Sequence, residues 1–221
     1  MGQQAFRGII FDFGGVFTKT KRRDQILQRC EDELRLARGT LMDLIFAGEH
    51  WLAVSTGKIS AEEYWQAIGK ALDGAVPAVL EPFRDNPFAY EELNKSMVAL
   101  ARRLHRGYKL ALLSNATPYL EVLLATYNLE DLFDVVVNSA RVGMRKPDRE
   151  IYQLALEKMG LLAPQCLFVD DKERNTLAAE ALGMYAITFR SAAQLERQLR
   201  GLGIFFDNSP IFRYNGAQLR V

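Results

Sequence analysis

Cysteine and histidine are scarce in this chain, with two of each among 221 residues. Cys30 and Cys166 lie far apart and in no CxxC spacing, so neither a zinc site nor a redox pair is indicated. Two thiols fit a reducing compartment. His50 and His105 are the only imidazoles, neither has a motif around it, and no G-x-S-x-G elbow is present, which argues against a serine hydrolase. Long apolar runs are also missing, which excludes a membrane-spanning helix. The first residues lack the h-region of a signal peptide, and Phe6 stands where a myristoylation signal needs Ser or Thr. Nor does one sign of charge prevail: 28 basic against 27 acidic side chains give a net charge of +1. That balance offers no electrostatic footprint for nucleic acid and none for an acidic membrane surface. The expectation is a soluble cytoplasmic protein, monomer or homodimer, with no nucleic-acid or membrane partner.

What is present is an ordinary globular composition, 49% hydrophobic and 25% charged. The length suits one or two domains and buries enough surface to fold without disulfide or metal. Short apolar runs each close on a polar residue: Phe6–Phe11 on Asp12, Tyr108–Leu113 on Ser114, Phe133–Val137 on Asn138, Cys166–Val169 on Asp170, and then Met184–Phe189. Runs of this length, rich in β-branched and aromatic residues, read as strands buried on both faces. Helical stripes alternate with the later ones: Leu93, Met97, Leu100 and Leu104, then Ile151, Leu154, Ala155 and Met159. Strand–helix alternation predicts a parallel α/β sheet. Between the first run and the second lie some ninety residues without a convincing strand. They carry the capping box Ser60-Ala61-Glu62-Glu63 and a stripe at Ile26, Leu27, Cys30 and Leu34. Residues 18–90 therefore read as a helical insertion, ending near Pro77, Pro82 and Pro87.

Ligands of an open parallel sheet bind beyond the carboxyl ends of its strands. Asp12, Ser114 and Asp170-Asp171 converge there if the topology is right. Gly14 and Gly15 free the backbone after Asp12 to approach a ligand and form an anion-binding nest. Ser114-Asn115 precedes Thr117-Pro118, a helix start suited to a phosphate oxygen. Lys146, in Gly143-Met144-Arg145-Lys146-Pro147-Asp148, is an anion-binding point charge or a solvated loop lysine. Asp170 and Asp171 repel each other unless a cation compensates, and their hard oxygens suggest Mg²⁺. Each element has a plainer reading by itself: a turn or cap for Asp12, a capping hydroxyl for Ser114, an exposed acidic loop for the Asp pair.

Together the pattern is more specific. A strand-end Asp, a strand-end Ser, a Gly-x-x-Lys-Pro-Asp loop and a strand-end Asp pair, with a helical insertion after the first strand, resembles the haloacid dehalogenase-like hydrolase superfamily. The match runs from about Gly8 to Met184. The resemblance implies a Rossmann-like parallel sheet of order 5-4-1-2-3 flanked by helices, with residues 1–17 and 91–221 as the core and 18–90 as a helical cap. It implies Asp12 as nucleophile, with Lys146 assisting. It further implies Phe13, Gly14, Ser114, Asn115 and Lys146 as phosphate binders, and Mg²⁺ held by Asp12, the Gly14 carbonyl, Asp171 directly and Asp170 through water. The implied activity is hydrolysis of a small-molecule phosphate monoester through an aspartyl-phosphate.

The chain departs from that pattern at Gly14, where phosphatases of the superfamily usually carry a second Asp as general acid and base. A sugar-1-phosphatase-like branch resembles this chain in having Gly there with a Met-Arg-Lys-Pro loop and an Asp pair, which points to activated or anomeric phosphates. Two alternatives stay open at this point: a metal-independent 2-haloacid dehalogenase, and a non-catalytic phosphate-binding or regulatory domain. Lys19-Thr20-Lys21-Arg22-Arg23 is expected near the mouth of the site, either gripping a second anionic group or lying on a solvated face. The aromatics of the segment 203–214 are expected to cover a sheet edge or form a dimer contact.

Overall fold

A computed structural model describes residues 6–74 and 76–206. The strands, in chain order, are β1 (Gly8–Phe11), β2 (Thr18–Lys19), β3 (Glu92–Leu93), β4 (Lys109–Ser114), β5 (Val135–Asn138), β6 (Cys166–Asp170) and β7 (Tyr185–Thr188). Five of them form one parallel sheet ordered β5-β4-β1-β6-β7. The two-residue strands β2 and β3 pair antiparallel in a separate ribbon, so the labels differ from the expected 5-4-1-2-3. Counted among the five main strands alone, the order is 3-2-1-4-5, which is the expected order read from the other edge. Two residues carry no periodic signal, which is why β2 and β3 escape a pattern reading. Leu93, expected to open a helix, lies in β3, and the helix begins beyond Asn94, whose side chain caps it.

Side chains alternate across the sheet and build a core on each face. Ile9, Phe11, Leu110, Leu112, Leu167 and Val169 join one apolar cluster, while Ile10, Ala111, Leu113, Val137 and Phe168 join another. The first face is covered by α6 (Lys95–Leu104), α7 (Tyr119–Thr126) and α11 (Ala192–Gly201), which contribute Met97, Leu100, Leu120, Leu123, Leu195 and Leu199. The second is covered by α9 (Arg149–Met159) and α10 (Glu173–Glu180), through residues that include Ile151, Tyr152, Ala155 and Ala179. A four-residue helix, α8 (Ser139–Val142), follows β5. Helix α7 starts one residue later than Thr117-Pro118 suggested: Pro118 takes the N-cap position and Thr117 Oγ1 accepts from the Tyr119 amide.

Between β2 and β3 the chain forms α1 (Lys21–Glu33), α2 (Thr40–Phe46), α3 (Glu49–Ser55), α4 (Ala61–Ala71) and α5 (Pro82–Asp85). These helices bury their own cluster, including Leu27, Cys30, Leu41, Ile45, Trp51, Tyr64, Trp65 and Phe83. The capping box opens α4 as the sequence implied, with Ser60 Oγ accepting from Glu63 N at 3.1 Å and Ser60 N donating to Glu63 Oε2 at 2.8 Å. Glu31 is buried because it accepts from the amides of Gly39 and Leu41, satisfying two groups at the start of α2. The turn after α3 rests on α8: Ser139 Oγ donates to the Ser55 carbonyl at 2.5 Å, and a Cβ on Gly57 would meet the Ala140 carbonyl oxygen at 2.4 Å. The tail aromatics divide. Phe206 is buried in the first-face cluster and Phe205 is exposed, while residues 207–214 lie outside the described residues.

Candidate active site

Parallel pairing sets the strand ends in line. Phe11 is level with Leu112 of β4 and Val169 of β6, so Asp12, Ser114 and Asp170 emerge from adjacent strands at the same edge. The link is tightened by Asp12 N, which donates to the Val169 carbonyl at 2.9 Å. Behind them Ile9, Phe11, Leu110, Leu112, Leu167 and Val169 are fully buried, so the three polar residues sit at the boundary of an apolar core.

Lys146 reaches this edge from the loop between α8 and α9. It is 1% exposed, contrary to the solvated reading of a loop lysine. Its Nζ lies 2.8 Å from Asp12 Oδ1 and 2.7 Å from Asp170 Oδ2. A buried ammonium is costly unless paired. Burial works against the charge here, but the two carboxylates outweigh it and hold the Lys146 pKa above its ordinary value. The backbone of Lys146 is fixed by Asn115, whose Nδ2 donates to the Lys146 carbonyl at 2.8 Å and whose Oδ1 accepts from the Lys146 amide at 2.8 Å. Asn115, expected to bind phosphate, thus spends its side-chain amide on the lysine loop.

The three carboxylates stand in different surroundings. Asp170 is fully buried, and burial alone would raise its pKa. Contacts with Lys146, the Lys172 amide and Asn175 Nδ2 hold it below the usual carboxylate range. Burial pushes Asp12 up to about 7, with Lys146 pulling the other way and Asp170 adding to the rise. Asp171 is raised by burial as well, and its Oδ1 is buried with no hydrogen-bond partner among the described residues. The site therefore holds one carboxylate that is saturated by donors and two that lack enough positive charge.

Oxygen atoms of Asp12, Asp170 and Asp171 come within 4.8 Å of one another. An oxygen-only donor set with an orphaned buried carboxylate oxygen fits a hard cation such as Mg²⁺. Asp12 and Asp171 have ligand capacity to spare, whereas both Asp170 oxygens already accept bonds. Gly15 adopts φ +78° beside Asp171, and a Cβ there would fall 2.4 Å from Asp171 Oδ2. The Phe13 amide donates to Asp12 Oδ1 at 2.7 Å, while its ring stacks on Phe17 and meets Phe88 edge-on inside the core. Gly14 is half-buried beside Phe88. Ser114 is a buried residue at the end of β4, level with Asn138 of β5.

Two contributors carried no signal of their own in the sequence. Ser139 Oγ accepts from the Ala116 amide at 3.0 Å and donates to Ser55, tying the Ser114–Ala116 turn to the helical segment. Glu91, beside β3, accepts hydrogen bonds from the Thr18 hydroxyl and the Arg23 guanidinium, and Thr18 Oγ1 accepts from Gly15 N at 3.2 Å. The imidazoles stay outside: His105 faces Asp134 at 3.2 Å and His50 faces Glu49 at 3.9 Å.

A lysine shared between two strand-end carboxylates, with a third carboxylate unsatisfied beside them, stands at the end of a Rossmann-like parallel sheet. The sequence matches the haloacid dehalogenase-like hydrolase family over residues 6–183, and the chain belongs to that family. It is 30% identical over 202 residues to sesquiterpene phosphatase astK of Aspergillus oryzae, covering 89% of this chain and 96% of that protein. It is 28% identical over 219 residues to phosphatase MT3486 of Mycobacterium tuberculosis, covering 91% and 97% respectively. The fold is also that of the HAD family enzyme bt-2542 of Bacteroides thetaiotaomicron, solved in complex with magnesium and inorganic phosphate. That match has a TM-score of 0.64 at 22% identity and covers 85% of this chain and 96% of the other. Among the described residues no helix is long and apolar enough to cross a membrane.

Proposed function

We propose that this hydrolase is a Mg²⁺-dependent phosphatase that cleaves a small-molecule phosphate monoester through an aspartyl-phosphate on Asp12. The observation that carries this reading is the unequal treatment of the carboxylates. Asp170 is fully satisfied, Asp12 is held by one ammonium and the Phe13 amide, and Asp171, in the same cluster, has a buried oxygen with no partner among the described residues. The unpartnered Asp171 oxygen calls for a cation, which a metal-independent dehalogenation does not use, and so the phosphatase reading is preferred. Two relatives named as phosphatases support it.

The ionised Asp12 attacks phosphorus in line with the ester oxygen, so an O–P bond forms to Asp12 as the P–O bond to the leaving group breaks. Water then attacks the acyl phosphate, releasing inorganic phosphate and restoring the carboxylate. Lys146 counters the repulsion between two anions and keeps its position through Asp12, Asp170 and the Asn115 clamp. Ser114 donates to a phosphate oxygen, and the backbone of Phe13–Gly15 lines the same anion. Asp12, Asp171 and the Gly14 carbonyl, with Asp170 through water, would hold Mg²⁺, which when bound would supply further charge neutralisation. No side chain at Gly14 protonates the leaving group, and general acid help is worth about 10²–10⁴-fold. Substrates with good leaving groups, anomeric sugar phosphates among them, are therefore favoured. Residues 18–90 serve as the cap over a core of 1–17 and 91–221. The contact of Ser55 and Gly57 with Ser139 and Ala140 supports this, because it lies next to Ser114–Ala116.

The test is phosphate release from sugar phosphates, acetyl phosphate and p-nitrophenyl phosphate, each with Mg²⁺, with EDTA and with Asp12→Asn. Release that needs Mg²⁺ and Asp12 supports the proposal. Release that persists in EDTA, or silence across the panel, counts against it.

A further inference from the structure

The basic run after β1 remains outside this account. Lys19, Lys21, Arg22 and Arg29, with Ile26 and Glu92, line a cavity of about 550 Å³ that none of Asp12, Ser114, Lys146, Asp170 or Asp171 borders. We propose that this cavity is a second anion site, which binds a small molecule carrying two or more linked phosphate groups. The inference does not depend on the phosphatase reading.

Charge is the first argument. Four cationic side chains surround the cavity and one carboxylate opposes them. Lys19 and Glu92 are partners across the β2–β3 ribbon, yet neither that pair nor any other ion pair among the described residues engages Lys19, Lys21, Arg22 or Arg29. Three of the four acidic residues of α1 are occupied elsewhere, and the fourth, Glu33, one turn beyond Arg29, makes no ion pair with it among the described residues. Asp24 pairs with Arg23 and accepts from Thr20, Asp32 pairs with Arg38, and Glu31 caps α2. Arg23 leaves the cluster altogether by turning to Glu91 and Asp24. Four cations gathered around one concavity repel one another, and a bound anion relieves that repulsion.

Geometry supplies the second argument and sets the class of ligand. Lys21, Gln25 and Arg29 recur every four residues and so share one face of α1, a helix of 13 residues. From Lys21 to Arg29 the helix rises about 12 Å. A linked chain of two or three phosphates meets more of these cations at once than a single phosphate does, which favours the longer anion. The N-terminus of α1 opens onto the same place without a side-chain cap from Thr20, adding the positive end of the helix dipole. The volume lies within the usual range for small-molecule pockets. Arg22 is steadied 5.8 Å over the Tyr90 ring, and Ile26 gives the cavity an apolar wall.

Location gives the site its consequence. Lys19 and Glu92 stand on β2 and β3, the two strands by which the chain enters and leaves the helical segment, while the other cations belong to that segment. A polyphosphate held between them braces the helical segment against the crossing ribbon.

Calorimetric titration with tripolyphosphate and with inorganic phosphate, both in EDTA, tests the proposal. EDTA removes metal-dependent binding at the Asp12 cluster. Wild type and Asp12→Asn should bind tripolyphosphate alike. The exposed double variant Lys21→Gln/Arg29→Gln should lose tenfold or more in affinity with unchanged far-UV circular dichroism. Lys95→Gln/Lys158→Gln, which removes the same charge elsewhere, should bind as wild type does. Inorganic phosphate should bind at least tenfold more weakly than tripolyphosphate. Absence of saturable binding, loss in Asp12→Asn, equal weakening in the two charge-matched doubles, or equal affinity for both anions would each overturn it.

Discussion

A methyl group on Gly15 would stand 2.4 Å from Asp171 Oδ2, closer than real side chains approach. The turn after β1 and the aspartate after β6 thus shape each other, because Gly15 at φ +78° both makes the turn and leaves room for the carboxylate. Gly15→Ala should lower stability by about 1–2 kcal/mol through its left-handed conformation alone. It should also displace Asp171 and weaken Mg²⁺ binding at least tenfold by calorimetry. Gly14→Ala is the control: its Cβ would meet only Phe88, at an ordinary 3.7 Å, and Mg²⁺ affinity should hold. Equal losses in both variants would show that the turn, and not the Gly15–Asp171 contact, governs the site.

The surroundings of Asp12 predict a pH-dependent stability. Its pKa is raised in the folded protein, mainly by burial, to about 7. A raised carboxyl contributes stability at low pH that is lost as pH climbs from the unfolded value through the folded one. In EDTA, the stability of Asp12→Asn relative to wild type should therefore rise as pH climbs from 4 to 8. Thermal melts across that range check it. A constant difference between the two proteins would contradict the burial of an undercompensated Asp12.

Asn115→Ala removes both hydrogen bonds to the Lys146 backbone. Two such bonds are worth about 2 kcal/mol. The larger effect should appear in kcat, because the lysine loop loses its anchor while Asp12 and Asp170 remain. A variant that loses only substrate affinity, with kcat intact, would instead place the Asn115 amide on phosphate.

Thr18 and Glu91 join the two crossings of the chain and pass the contact on to Gly15. Thr18→Val and Glu91→Gln should be non-additive in a double-mutant cycle of unfolding free energies, with a coupling of about 0.5–3 kcal/mol. Additivity would show that the two residues do not act as a unit.

Much of this arrangement was legible in the sequence. Each apolar run became a strand, and Asp12, Ser114 and Asp170 emerged at the edge that strand-final polar residues predict, because burial on both faces leaves a strong local signal. Lys146 was harder: a loop lysine reads as solvated, and its burial follows from two carboxylates supplied by β1 and β6, far away in sequence. The bonds of Asn115 to the lysine loop carry no local signal either, since its partner is a loop backbone some thirty residues on. The β2–β3 ribbon is too short for periodicity to reveal. The basic run was visible from the outset, but only the fold separates Arg23 from its neighbours and gathers Lys19, Lys21, Arg22 and Arg29 around a cavity distinct from the Asp12 cluster.

The central claim is that phosphate passes through Asp12, and trapping the acyl phosphate tests it most directly. A single turnover with Mg²⁺ and a releasing substrate, quenched into borohydride, reduces an aspartyl-phosphate to homoserine, which peptide mass spectrometry locates. The account predicts homoserine at position 12 only, absent without substrate. Phosphate release with Asp12 unmodified, or homoserine at another aspartate, would contradict it.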